Sequence, residues 1–371
     1  MAEFSHEVIL TDAMHFGNTV NFTPPFVFSP FIKKELHAHL NGSVSEKTIM
    51  NLVKLHSAKQ QTNNNNFEHL LTTLKKGQER SLEETFQMFG IIHQLVNCTE
   101  AVAMSIRDVI QEFRDDNVLY LELRSTPRDV PATGMTKRSY IETVLAGIRQ
   151  CEEDGLDIIV RFLLSIDRRV SLEVAMEIVK LAEEYKESSG GIVLGVDLSG
   201  DPAVDATKLI PALLKARDAG LKVAVHLAEV PKMPDDEALI RLQPDRAGHL
   251  TFLHPDVGGN QHLVSLVQEY QIPLELCLTS NVMCKTVPTY DNHHFKFWYD
   301  SQHPVTIATD DKGVFLTSLS KEYLIAADAF QLNREELWKL SYQSINFIFE
   351  DDNTKEKLRE VWHQHRQALG L

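Results

Sequence analysis

Eight short apolar, β-rich runs, each broken off by polar residues and followed by a helical segment, constrain this chain more than any other feature. The first ends in His37-Ala38-His39. Then come Val118–Leu123, ending Arg124-Ser125-Thr126-Pro127-Arg128; Ile158–Ile166, ending Asp167-Arg168-Arg169; and Ile192–Leu198, ending Ser199-Gly200-Asp201. Leu221–Val225 ends in His226-Leu227-Ala228-Glu229, and a weaker run covers Arg246-Ala247-Gly248-His249. The last two are Pro273–Leu278, ending Thr279-Ser280-Asn281, and Val305–Ala308, ending Thr309-Asp310-Asp311. Eight alternating strands and helices predict an α/β fold, a parallel (β/α)8 TIM barrel with additional helices over the mouth, whose active site sits at the C-terminal ends of the strands. The competing architecture, an open doubly wound sheet, lacks its Gly-x-Gly-x-x-Gly fingerprint here.

The 371 residues are 43% apolar, enough for one large core, and no boundary is visible after residue 34, so 34–371 is expected to form a single barrel domain. Residues 1–33 carry Thr23-Pro24-Pro25 and Ser29-Pro30 and read as an N-terminal extension packed on that domain. Helical periodicity runs from Ser45 to about Lys59, and the asparagine-rich stretch Gln60 to Asn66 reads as a surface loop. Ser81-Leu82-Glu83-Glu84 matches a capping box, opening a helix striped by Leu82, Phe86, Phe89, Ile92 and Val96. His93 lies beside the stripe, as either a hydrogen-bonded core histidine or a pocket residue.

A formal charge of −15 argues against nucleic-acid or anionic-membrane partners, and an anionic small substrate would need a local cationic or hydrogen-bonding pocket. Cys98, Cys151, Cys277 and Cys284 show no Cys-x-x-Cys spacing and read as reduced thiols. With no secretory signal and no apolar segment of about 18 residues, the expectation is a soluble, monomeric protein of the cytosol.

On a strand, His37 and His39 share one face. His226 at the fifth strand end and Asp310 at the eighth complete a set of three histidines and one aspartate, whose nitrogen and oxygen donors suit Zn²⁺ best, with Fe or Co able to occupy the same shell. Glu229, three residues past His226, can shuttle protons; His249 can hold an attacking water; Asp311 can point into the mouth to accept a hydrogen bond.

The strings His37-Ala38-His39-Leu40-Asn41-Gly42, Val196-Asp197-Leu198-Ser199-Gly200-Asp201, His226-Leu227-Ala228-Glu229, Gly248-His249, Leu278-Thr279-Ser280-Asn281 and Thr309-Asp310-Asp311 resemble, in the same order, the adenosine deaminase family of metal-dependent amidohydrolases. The resemblance covers about residues 33 to 365. It implies one zinc per chain held by His37, His39, His226 and Asp310, with His39 also lining the substrate pocket. Glu229 would protonate purine N1, while His249 and Asp310 orient and deprotonate the water. The Gly200 backbone and Asp311 would hold other ring nitrogens, and Asn41, His93, Ser125, Thr126, Pro127, Arg128 and Asp167 would surround ribose and phosphate.

Through His-Ala-His-Leu-Asn-Gly and Leu-Arg-Ser-Thr-Pro-Arg the chain most resembles the adenosine deaminase-like branch, which implies a purine nucleoside monophosphate as substrate, preferably N6-methyl-AMP yielding IMP and methylamine. Adenosine-specific relatives carry Asp where this chain has Asn41; losing that charge favours a phosphate over a hydroxyl. Two strings depart from many relatives, which read Gly-His-Gly at Gly248-His249-Leu250 and His-Ala-Gly-Glu at His226-Leu227-Ala228-Glu229. The alternatives are a nucleoside-specific adenosine deaminase, a catalytically inactive barrel acting as a binding protein, and a two-metal hydrolase, which commonly has a bridging lysine at the fourth strand end where this chain has none.

Overall fold

Parallel strands cannot be joined by tight turns, so each apolar run must be followed by a crossover, and in this chain the crossovers are mostly helical. A computed structural model describes residues 31–58 and 82–371. Its strands are β1 (Lys33–His39), β2 (Val118–Ser125), β3 (Ile159–Asp167), β4 (Val193–Ser199), β5 (Lys222–Leu227), β6 (Arg246–His249), β7 (Leu274–Leu276) and β8 (Val305–Ile307). They pair in sequence order, every pair parallel. Beyond β8, Ala38 and Asp310 form a parallel bridge, in which His39 N donates to Asp310 O at 2.9 Å and Asp310 N to His37 O at 2.8 Å. That seam closes the barrel and excludes the open sheet.

The crossover helices present one apolar face inward. Helix Thr99–Asp115 buries Ala101, Val102, Ser105, Ile106, Val109, Ile110 and Phe113, spaced by three and four residues. Each fully buried branched or aromatic side chain contributes roughly 1.5–3 kcal/mol. Helix Lys137–Glu153 starts at a capping box between Thr136 and Ser139. No helix among the described residues is long and apolar enough to cross a membrane.

Charged residues, rather than the usual branched aliphatic layers alone, occupy the barrel interior. Lys33, Lys34, Glu35, Glu122, Arg124, Asp197, Arg246 and Glu275 are all fully buried. Arg246 joins Glu122 and Glu275, and Arg124 joins Glu275 and Asp197. At the start of β1, Lys34 donates to Ser341 O and lies 3.9 Å from the Trp362 ring centre, so the C-terminal helices plug this end. Glu122, Arg124, Asp197, Arg246 and Glu275 can stay buried because they are ion-paired, and removing one partner would leave an uncompensated charge, whereas Lys33, Lys34 and Glu35 are held by hydrogen bonds.

Two expectations shift. The run Pro273–Leu278 ends as a strand at Leu276, and the helix begins already at Leu278 (Leu278–Met283), so Leu278 leaves the strand and Thr279, Ser280 and Asn281 lie in the helix. The second concerns β1, where Glu35 to Ala38 spans the same register as Leu121 to Leu123, a bulge at the metal-binding string. The N-terminal extension before Phe31, the loop Gln60 to Asn66 and the Ser81 capping box lie outside the described residues.

Candidate active site

The strand ends bring His37, His39, His226, His249 and Asp310 together. Ligand atoms of His37, His226, His249 and Asp310 all lie within 4.8 Å of one another. His39 completes the group: its Nε2 is 3.1 Å from His226 Nε2 and 3.4 Å from Asp310 Oδ1, while His37 Nε2 is 3.3 Å from that same oxygen. His249 Nε2 lies 3.7 Å from Glu229 Oε2 and 4.0 Å from the other carboxylate oxygen of Asp310. Ser280, in the helix Leu278–Met283, donates to that oxygen at 2.7 Å.

Second contacts fix which nitrogen of each ring faces inward. His226 Nδ1 is 2.9 Å from Leu198 O; a carbonyl only accepts, so the proton sits on Nδ1 and the Nε2 lone pair points at the cluster. His37 Nδ1 donates to Glu275 at 2.6 Å with the same result. Without a cation, burial and Arg124 lower the His37 pKa, yet the Glu275 and Asp310 carboxylates outweigh them and raise it to about 9, so a bound metal would displace a proton from Nε2 to use its lone pair. Burial by itself would raise Glu275, but Arg124, Arg246 and His37 hold it well below the ordinary carboxylate range.

Four residues at strand ends take left-handed backbone angles: Ala228 (φ 48°), His249 (φ 68°), Leu250 (φ 53°) and Asp310 (φ 60°). Two of them, Ala228 and Leu250, are the positions where many relatives carry glycine. The backbone demand persists although the glycine does not, at a cost of roughly 1–2 kcal/mol each. Leu250 is 1% exposed, and its bulk is absorbed by the core.

Around the mouth, Asp311 stands against Gly42, where a Cβ would lie 1.5 Å from Asp311 Oδ1. Burial, with Asp310 and Glu229 alongside, holds the Asp311 carboxyl well above its usual range. Gly200 (φ 105°) would bring a Cβ to 2.7 Å from Asp167 Oδ1, and Asp167 in turn accepts from Arg169 Nε at 2.9 Å. Ser125 is hydrogen-bonded to the Tyr140 hydroxyl at 2.6 Å, Thr126 is half-buried and Pro127 buried. Arg128 donates to the His93 carbonyl at 3.0 Å and to that of Val96. His93 is exposed, which overturns the core-histidine alternative. Asn41 Oδ1 and Glu229 Oε1 are buried without a hydrogen-bond partner among the described residues.

Several functional neighbours are missing from the sequence reading: Arg124, Glu275, Tyr140, Arg169 and the pair His293–His294. Asn281 Nδ2 lies 3.3 Å from His249 Nδ1 and its Oδ1 3.0 Å from His293 Nε2, while His294 Nε2 donates to His249 O at 2.6 Å. A usable signal was available for one of them, since a charged residue inside an apolar β run, as at Glu275 within Pro273–Leu278, must be either misassigned or paired.

A family model for adenosine deaminase matches residues 32–364. The chain belongs to the adenosine deaminase family. It is 53% identical over 339 residues to an N6-methyl-AMP deaminase of Danio rerio, covering 91% of this chain and 96% of that protein. The crystal structure of the Arabidopsis N6-mAMP deaminase MAPDA matches with a TM-score of 0.82 at 38% identity, covering 91% of this chain and 98% of that one. The crystal structure of Arabidopsis ADAL complexed with IMP matches with a TM-score of 0.81 at 38% identity, covering 90% and 96%.

Adenosine deaminases are metal-dependent, and the residues of this deaminase fit a metal ion. His37 Nε2 is buried with no hydrogen-bond partner among the described residues, and the His226 Nε2 lone pair and an Asp310 carboxylate oxygen converge beside it. Three electron-rich donors cannot satisfy one another; a cation between them can.

Proposed function

We propose that this chain is a zinc-dependent deaminase that hydrolyses N6-methyl-AMP to IMP and methylamine. The reading rests above all on the convergence of His37, His39, His226 and Asp310 at one point, with Glu229 and His249 facing it from one side. Zinc suits a shell of three imidazoles and one carboxylate, and a bound zinc supplies the Lewis acidity that makes water a nucleophile near neutral pH.

The remaining work falls to the chain's own side chains. Glu229, with Oε1 free of any partner, delivers a proton to purine N1, which makes C6 electrophilic. His249 accepts from the Asn281 amide on Nδ1, so its Nε2–H orients the attacking water, and Asp310 takes the water's proton through the oxygen that Ser280 steadies. The Gly200 backbone and the Asp311 carboxyl hold the other ring nitrogens; the water's oxygen becomes the new C6 carbonyl as the C6–N6 bond breaks, and Asp310 returns the proton it took to the departing methylamine. Asn41, His93, Asp167 and the loop Ser125, Thr126, Pro127 and Arg128 surround ribose and phosphate, with His39 as part of the pocket wall. The Arabidopsis relative complexed with IMP supports a 5′-monophosphate in this pocket.

All of these groups come from one chain, so a monomer is the proposed working state, and four unpaired cysteines are in keeping with the reducing cytosol. The test is metal content together with amine release from N6-methyl-AMP, AMP and adenosine. The reading fails if kcat/KM for adenosine equals or exceeds that for N6-methyl-AMP.

A further inference from the structure

Arg124 sits on β2 with no exposure to solvent and touches neither the metal-ligand atoms nor the mouth. Its Nη1 donates to Asp197 Oδ1 at 2.9 Å; its Nη2 donates to Glu275 Oε2 at 2.9 Å and to Leu36 O at 2.6 Å. The acceptors matter because of what else they hold. Glu275 Oε2 also accepts from His37 Nδ1 at 2.6 Å, and Asp197 Oδ1 lies 3.2 Å from His226 Nδ1. Leu36 immediately precedes His37. Arg124 Nε, by contrast, has no partner, so the guanidinium is held through its two terminal nitrogens.

We propose that Arg124 is a positioning residue for the metal centre: through Glu275 and Asp197 it holds the Nδ1–H groups of His37 and His226 at once, and so keeps both Nε2 lone pairs aimed at one point. The inference rests on the zinc reading above. A carboxylate behind a ligand histidine fixes the ring's tautomer and orientation, and loss of such a partner commonly weakens metal binding about 10- to 100-fold. Here one rigid fork serves two rings from opposite sides of the barrel, β1 and β5. A lysine keeps the charge but not the planar two-pronged geometry.

The two arms differ. His226 Nδ1 also has the Leu198 carbonyl at 2.9 Å, so its tautomer survives without Asp197, whereas His37 Nδ1 depends on Glu275. Ser165 steadies Asp197 through its other oxygen at 3.0 Å, and Arg246 steadies Glu275. Glu275 is therefore the stronger arm.

The test uses full-length wild type, Arg124→Lys, Arg124→Met and Glu275→Gln, with zinc affinity by chelator competition and histidine ¹⁵N shifts in the metal-free protein. The expected result is a zinc affinity lower by about tenfold or more in both Arg124 variants, with altered ring shifts at His37 and His226. Glu275→Gln should alter His37 alone. If Arg124→Met does not fold, Arg124→Lys, which keeps the buried charge, carries the measurement. Wild-type zinc affinity and unchanged shifts in folded Arg124→Lys overturn the proposal and leave Arg124 as a neutraliser of buried carboxylates. Wild type without zinc affinity would overturn the zinc reading, and the metal-free shifts would still decide whether Arg124 holds both rings.

Discussion

Gly42 and Asp311 interlock: the Asp311 carboxyl fills the space a Cβ on residue 42 would need, with only 1.5 Å between them. Gly313 N and Val314 N both donate to Gly42 O, at 2.9 and 3.0 Å, so the two segments cannot slide apart easily. Gly42→Ala should therefore push Asp311 off the purine and lower kcat/KM by roughly 10²-fold, because displacements near 1 Å cost about that much. Zinc content should stay at the wild-type level. Unchanged kinetics in a folded Gly42→Ala protein would remove Asp311 from substrate positioning.

Glu229→Gln should retain zinc and lose turnover by about 10²- to 10⁴-fold, since an amide hydrogen-bonds but cannot deliver a proton. His226→Ala, in contrast, opens the ligand shell and should lose the metal. Metal analysis beside steady-state kinetics separates the two effects; near wild-type turnover in Glu229→Gln would exclude Glu229 as the acid.

Asn41→Asp bears on substrate choice. The Asn41 carbonyl is buried without a partner, and an added carboxylate there would face the substrate's phosphate. The ratio of kcat/KM for N6-methyl-AMP over adenosine should fall by about tenfold or more, as expected for like charges at partly screened distances. An unchanged ratio would place the phosphate away from Asn41.

Asp236, which accepts from Ala228 N at 3.2 Å, links pH to stability. Burial, and then Asp235 beside it, raises its pKa from 3.8 to about 6. The folded state holds this proton more tightly than the unfolded chain, so the group's contribution to stability falls as pH rises from about 4 to 6 and stays low above that. Asp236→Asn, which can still accept from Ala228 N, should remove that fall. Its stability relative to wild type should rise across the window by at most about 3 kcal/mol. Denaturant melts at pH 4, 5, 6 and 7 test this; parallel curves for the two proteins would exclude Asp236 as the titrating group.

Much of the architecture was legible because strand and helix leave different apolar periods, and because His37, His39, His226, Glu229, His249 and Asp310 all follow such runs. The helix Leu278–Met283 was not, since Leu278 extends the apolar run and its N-cap, Cys277, offers no side-chain capping bond. Arg124 was invisible for another reason: it makes sense only through Asp197 and Glu275, both more than 70 residues away, which local periodicity cannot register. Tyr140 reads as one more core aromatic on its helix until its hydroxyl is seen on Ser125.

The seam between His37, His39 and Asp310 has a consequence in time. About 270 residues separate its two sides, so at translation rates of roughly 5–20 residues per second the nascent chain carries the first two histidines for on the order of tens of seconds before the aspartate exists. The same backbone bonds that finish the barrel deliver Asp310 to the histidines. A polypeptide that stops short of Asp310 thus lacks the full proposed ligand set, and the ion's nest can form only once the seam has closed.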